Sequence, residues 1–283
     1  MRPTVPALSL AGALLVGVLA AGPAQAAHEG IEVTGLTQNG RLVTFLAGSP
    51  EHVTSTVKVT GLKGELLGID YRPATGGLVG VVRGDDGAGR LVVIDDSTGA
   101  VPSSTPLLGL DGTQVLLAGG AFGVDLNPAA DALRVVSDAD QNLRILLSDR
   151  AAGATGTTFV DGALTPGGRQ VVGAAYTNSD TDAATGTRLY DISAADDALL
   201  LQDPPNAGGL VPVGDGLGLP VGAEVGFDIA TRGTSNTALV SVVDRGRATL
   251  SVVDLTTGAV VPGSTGTIGT RPAVVDIAVP TTR

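Results

Sequence analysis

The chain has no cysteine and no tryptophan, one methionine, two histidines and only seven aromatic residues, three Tyr and four Phe. Each scarcity excludes a chemistry. Without Cys there is no disulfide framework, no thiolate zinc or iron–sulfur site and no thiol nucleophile. With only His28 and His52, an imidazole-rich metal site cannot be assembled, and a Ser-His-Asp triad would have to use one of these two. Positive charge is also short: 17 Lys and Arg against 28 Asp and Glu give a net charge of −11. That leaves no basic footprint for nucleic acid or anionic lipid. What is abundant is glycine and proline, 42 and 16 of 283 residues, still below the fraction typical of a disordered low-complexity chain. A chain of this length buries roughly 70% of its unfolded surface around a Val, Leu and Ile core, so packing alone can hold it.

Residues 1–26 read as a secretory signal peptide. Arg2 gives a positive start, Ala7–Ala21 is apolar, and Ala24-Gln25-Ala26 is an A-x-A site that places cleavage after Ala26. The apolar run is about 15 residues against the roughly 20 needed to span a bilayer, which argues against a membrane anchor. The expectation is a secreted, extracellular product, residues 27–283, forming a single domain that is monomeric and free of the membrane once the signal is removed. Its lack of Cys is notable in a compartment that permits disulfides.

The body of the chain repeats itself. Leu91-Val92-Val93-Ile94-Asp95-Asp96-Ser97-Thr98-Gly99 is matched by Leu250-Ser251-Val252-Val253-Asp254-Leu255-Thr256-Thr257-Gly258, about three periods of roughly 53 residues later. A second set is a short strand ending in an acid: Gly68-Ile69-Asp70-Tyr71, Gly123-Val124-Asp125-Leu126, Gly226-Phe227-Asp228-Ile229 and Val274-Val275-Asp276-Ile277, with Gly173-Ala174-Ala175-Tyr176 filling the gap. Each unit carries four apolar runs separated by Gly, Pro, Asn or Asp, the signature of strands and turns. The stretch Ala129–Ala152 has no Gly or Pro and could pass for a helix, but alignment to its sister units makes it strands. Four strands per unit of about 50 residues predict an all-β, five-bladed propeller. The N-terminal Gly40–Phe45 segment aligns with Gly89–Ile94, and Val274–Val279 is a first strand without followers. Three N-terminal strands and one C-terminal strand therefore complete a fifth blade and remove the exposed edges of an open array.

Several blocks resemble an uncharacterised family of secreted bacterial proteins, known as a domain of unknown function and described as propeller-like. They are Gly68–Gly76, Gly123–Pro128 with Asp131–Ser137, Gln141–Arg144, Val171–Asn178 and Gln202–Asn206. The resemblance spans essentially all of residues 27–283; it implies the fold and export, and no activity. Members commonly place a Tyr where this chain has Val79.

Two sets of residues are candidates for a site. Asp70, Asp125, Asp228 and Asp276 occupy one equivalent position on innermost strands, and converging carboxylates need a cation, extra protons or distance. A hard, oxygen-only metal site of this kind suits Ca²⁺. The competing reading is that each Asp accepts from backbone N–H groups of its own turn or the next blade, and repetition in every blade favours that structural role. The second set breaks the symmetry. Tyr71, Arg72, Asn127, Tyr176 and Asn178 lie on turns leaving inner strands and would offer polar contacts and aromatic platforms at one mouth of the ring, unless they are turn formers and core. Arg134 and Arg144 are a further ligand clamp, or else pair structurally with Asp131 or Asp138. The Asp95–Gly99 and Asp254–Gly258 segments read as hairpin turns without functional weight.

The functional expectation is a secreted, non-enzymatic recognition module presenting one face to an unknown ligand or extracellular protein, with no resident cofactor and no nucleic-acid partner. The alternative is a Ca²⁺-dependent hydrolase or lyase using channel carboxylates, as paired acids do in glycoside chemistry; scarce aromatics argue against it, because sugar clefts rely on aromatic faces. A surface-packing protein is a third reading.

Overall fold

Short Val-, Leu- and Ile-rich runs bounded by Gly, Asp and Asn turns fold as strands, because each run is too short for a helix and both of its faces need cover. A computed structural model describes Met1 and residues 28–281; the expected signal peptide lies, apart from Met1, outside the described residues. Among the described residues the first strands are β1 (Glu32–Thr37), β2 (Arg41–Leu46) and β3 (Ser55–Lys58). The first complete blade is β4 (Glu65–Arg72), β5 (Gly77–Arg83), β6 (Gly89–Ile94) and β7 (Ser103–Pro106). The second is β8 (Phe122–Asn127), β9 (Ala132–Ser137), β10 (Asn142–Leu146) and β11 (Thr158–Val160). The third is β12 (Val171–Tyr176), β13 (Leu189–Ser193), β14 (Ala198–Gln202) and β15 (Leu210–Pro212). The fourth is β16 (Val225–Arg232), β17 (Ser235–Asp244), β18 (Arg247–Val253) and β19 (Gly266–Thr267).

The last strand, β20 (Val274–Ala278), returns to the start. It pairs antiparallel with β1, Thr34 opposite Ala278 and Leu36 opposite Asp276, giving a fifth sheet in the order β20-β1-β2-β3. The protein is thus an all-β propeller of five four-stranded blades, closed as the repeat predicts. The helix-like stretch is indeed the β9–β10 hairpin.

Inner strands β4, β8, β12, β16 and β20 abut one another around the ring, and a separate apolar cluster fills each seam between blades. Leu36 and Leu42 of the fifth blade, for example, pack on Ile69, Leu78 and Val92 of the first. Each such side chain contributes about 1.5–3 kcal/mol on full burial, so the seams hold the ring without a cross-link. Four of the inner strands approach their neighbours closely because Gly stands two residues before the acid (Gly68, Gly123, Gly226) or before Ala175 (Gly173), while β20 has Val274 there. A Cβ at Gly123 would lie 2.5 Å from Ala174 N, and one at Gly226 would lie 2.5 Å from Ile277 N. Only Gly lets the neighbouring backbone come so near.

Candidate functional site

The aspartates of the inner strands do two things at once. Asp70 accepts from its neighbour Tyr71 N at 2.6 Å and from Leu126 N of the next blade at 2.7 Å. Asp228 accepts from Ile229 N and, across the seam, from Val279 N, both at 2.5 Å. Asp276 accepts from Ile69 N of the first blade at 2.7 Å, and Asp125 from Tyr176 and Leu126. Each carboxylate is therefore a clasp between consecutive blades. The same geometry gathers them, because Asp70, Asp125 and Asp228 each bring one oxygen to within 4.8 Å of the others. In the third blade the equivalent residue is Ala175, so the seam from the third blade to the fourth has no carboxylate clasp.

This crowding changes the acids. Burial, then the Asp228 charge, pushes Asp70 well above the usual carboxylate range against the pull of its two N–H donors. Burial, followed by Asp70 and Asp228, does the same to Asp125, and burial with a smaller push from Asp228 raises Asp276. Asp228 rises to about 7, through burial. The set could hold a hard cation through oxygens, but each oxygen so used would have to share itself with a backbone donor. Carboxyl groups with raised pKa sit most comfortably there as neutral acids.

The residues expected at the downstream mouth, where inner strands end, are mostly engaged in structure. Arg72 forms a two-pronged pair with Asp131 at 2.6 and 2.5 Å. Burial pushes the Asp131 carboxyl up, but Arg72 and Ser148 outweigh it and hold it below its usual value. Asn127 caps the following turn by accepting from Ala130 N. Asn178, with φ of 60°, exchanges hydrogen bonds with Asn236 of the fourth blade. Tyr71 and Tyr176 are buried rather than displayed. The Tyr71 hydroxyl joins Thr34 and Asp96 at the fifth-to-first seam, and Tyr176 lies at the second-to-third seam, accepting from Arg134 Nε at 3.3 Å. Burial raises both phenols.

Arg134 and Arg144 converge, but on Asp161, in place of the Asp131 or Asp138 expected from sequence proximity. Asp131 is already held by Arg72, whereas Asp161 follows β11 and faces both guanidinium groups. Arg134 Nη1 reaches Asp161 at 2.9 Å and Asn142 at 2.7 Å, and its Nη2 reaches Asn206 at 2.7 Å. Arg144 Nε lies 3.1 Å from Asp161 and its guanidinium stacks on Phe159 at 4.3 Å. Arg134 is 1% exposed, so this is an internal joint between the second and third blades.

The upstream mouth, where inner strands begin, is different. A depression of about 530 Å³ opens there, lined by segments of the fifth, first, second and fourth blades. Its polar groups include Gln38, Asn39, Lys58, Glu65 and Glu224, beside apolar residues such as Phe122. Gln38 Nε2 donates to Glu224 at 2.8 Å across the fifth and fourth blades, Arg83 pairs with Glu65 at 2.7 Å, and Lys58 donates to the Asn39 carbonyl. Sequence reading missed these residues because they sit in turns and at strand ends of different blades, Gln38 and Asn39 between β1 and β2, Lys58 closing β3, Glu65 opening β4 and Glu224 just before β16. The sole signal was the position of Glu65 and Glu224 ahead of a Gly-x-Asp strand.

Among solved structures, similar chains include TolB from Acinetobacter baumannii, at 13% identity over 90% of this chain and 68% of that one, TM-score 0.46. A putative 6-phosphogluconolactonase from Bacteroides uniformis matches at 11% identity over 89% and 99%, TM-score 0.41. Hydrazine synthase of Kuenenia stuttgartiensis matches at 15% identity over 77% of this chain, which spans 53% of that one, TM-score 0.41. None of these likenesses bears on activity. No curated protein matches. Residues 41–278 do match a family described as Domain of unknown function (DUF4394), and the chain belongs to that family.

Proposed function

We propose that the protein is a secreted, non-enzymatic recognition module that takes its ligand or partner at the upstream mouth. The observation that carries this reading is the depression of about 530 Å³ to which four blades contribute. A concave site that sets apolar residues beside a few convergent polar groups is where small guests or peptide segments lodge. The channel acids suit structure better than acid–base turnover, since each is occupied by backbone donors. The test is to recover what co-purifies with the exported chain, then repeat the capture with Gln38→Ala and Glu224→Ala combined. Loss of capture with an unchanged melting curve supports the reading; undiminished capture removes it.

The second reading, a Ca²⁺-dependent hydrolase or lyase, draws on the 4.8 Å gathering of Asp70, Asp125 and Asp228. Ca²⁺ at 100 times its Kd should stabilise the fold by about 2.7 kcal/mol. A melting curve unmoved by millimolar Ca²⁺ disposes of it.

A further inference from the structure

The seam between the second and third blades contains an acid that neither the channel nor the upstream mouth uses. Asp191 lies on β13 opposite Ala174 of β12 and Leu200 of β14. It is 0% exposed, and neither of its oxygens has a hydrogen-bond partner. Gln202 of β14, opposite Leu189, is its diagonal neighbour on the same sheet face. Gln202 Nε2 donates to the Pro205 carbonyl, while its Oε1 is buried and unpartnered. The shared surroundings are the joint already described: Asn142 Nδ2 donates to the same Pro205 carbonyl, and Arg134 is held by Asn142, Asp161, Asn206 and Tyr176.

Three fully buried oxygens thus share one sheet face, all of them acceptors and none supplied with a donor. Buried polar atoms in native proteins are nearly always satisfied, so such a group requires a hydrogen from somewhere. A proton on the carboxyl is the smallest addition that supplies one, since a neutral acid is a donor as well as an acceptor. The charged and titratable groups facing it are Arg134 from the second blade, with Asp161 and Arg144 behind, and Tyr176 from its own blade. Arg134 alone favours ionisation of Asp191, and its guanidinium is already committed to Asp161. Burial pushes the Asp191 carboxyl up to about 8, with Arg134 pulling the other way.

We propose that Asp191 is held as a neutral carboxylic acid, its proton directed to Gln202 Oε1, and that losing this proton loosens the joint between the second and third blades. Deprotonation then weakens this joint through a group remote from the channel, separately from the channel acids, whose clasps carry their own pH dependence.

The direct test is an infrared difference spectrum between wild type and Asp191→Asn at about pH 6, where an exposed Asp is ionised. A lost protonated-acid carbonyl band supports the proposal; a lost carboxylate band overturns it. The folding equilibrium gives a second reading. Between 3.8 and about 8 the folded state keeps a proton that the unfolded state has lost, so wild type should lose a further tenfold in folding constant per pH unit relative to Asp191→Asn. Equal pH slopes overturn it. Should Asp191→Asn not fold, hydrogen exchange of wild type at about pH 7 and about pH 9, corrected for intrinsic rates, decides. A larger loss of protection in β13 and β14, which carry Asp191 and Gln202, than in β8 and β12, which the channel clasp joins, supports the proposal; an equal or smaller loss there defeats it.

Discussion

At the seam from the fifth blade to the first, Asp276 accepts the Ile69 N–H at 2.7 Å. At the seam from the third blade to the fourth, the equivalent position is Ala175, buried in an apolar cluster with Phe227, Val225 and Ile192. Polar contact there moves outward to the turns, where Asn178 and Asn236 exchange hydrogen bonds and Ser179 N donates to Thr231 at 3.0 Å. A buried acid fixes register and direction but carries a desolvation cost; a small apolar residue packs freely and leaves orientation to the rim. The molecule uses the first device four times and the second once, so blade closure does not depend on any single chemistry.

That contrast has consequences for pH. Asp228, raised from 3.8 to about 7, stays protonated in the folded chain after the unfolded chain has ionised. The Asp228 contribution to stability is fully present below pH 3.8, falls as pH rises, and levels off above about 7. One such proton changes stability by about 1.4 kcal/mol per pH unit, so several kcal/mol separate the acid and neutral ends of a urea-denaturation series. A flat profile would break the picture of neutral clasps.

Mutations probe the seams individually, again by denaturation. Asp276→Ala removes the acceptor for buried Ile69 N and Ile277 N, and is expected to cost about 4 kcal/mol, since each orphaned donor costs about 1–3. Gly226→Ala drives a Cβ to 2.5 Å from Ile277 N and 2.7 Å from Asp276 C, where the contact is backbone and cannot swing aside; about 3 kcal/mol is expected. Ala175→Asp tests whether a fifth clasp can be grafted. Its carboxyl would enter an apolar cluster at a 0% exposed position, so a loss of about 2 kcal/mol is expected. A gain in stability would show that the missing acid is an accident of sequence.

The blades were legible because turn residues punctuate short apolar runs, and because Gly-x-Asp recurs with the period of the repeat. The closing pair was legible from its unmatched ends: β1–β3 lacked a first strand and β20 lacked followers. The Asp clasps were foreseen as one of two readings, and the structure shows clasping and gathering together. What stayed hidden depends on distances between blades. Nothing near Arg134 in sequence points to Asp161 or Asn206, 27 and 72 residues away. Asp191 looked like any acid in a Leu-Tyr-Asp-Ile strand, because alternation cannot tell which face of a strand meets a neighbouring blade. The upstream mouth is assembled from turns and strand ends of four blades, whose approach in space leaves no periodic trace.

The pairing of Thr34 with Ala278 and of Leu36 with Asp276 has one more consequence, for synthesis. A chain emerging N-terminus first has β1 ready early, but the partner of that strand is made only after the four intervening blades. Four blades can therefore assemble from local hairpins while β1–β3 wait as an incomplete sheet with a bare edge. Only after β20 has been made can it slot into place, bring Asp276 against Ile69 and close the circle. A chain lacking residues 274–278 would leave the inner edge of β1 unpaired, so the fifth blade has no closed form without that strand.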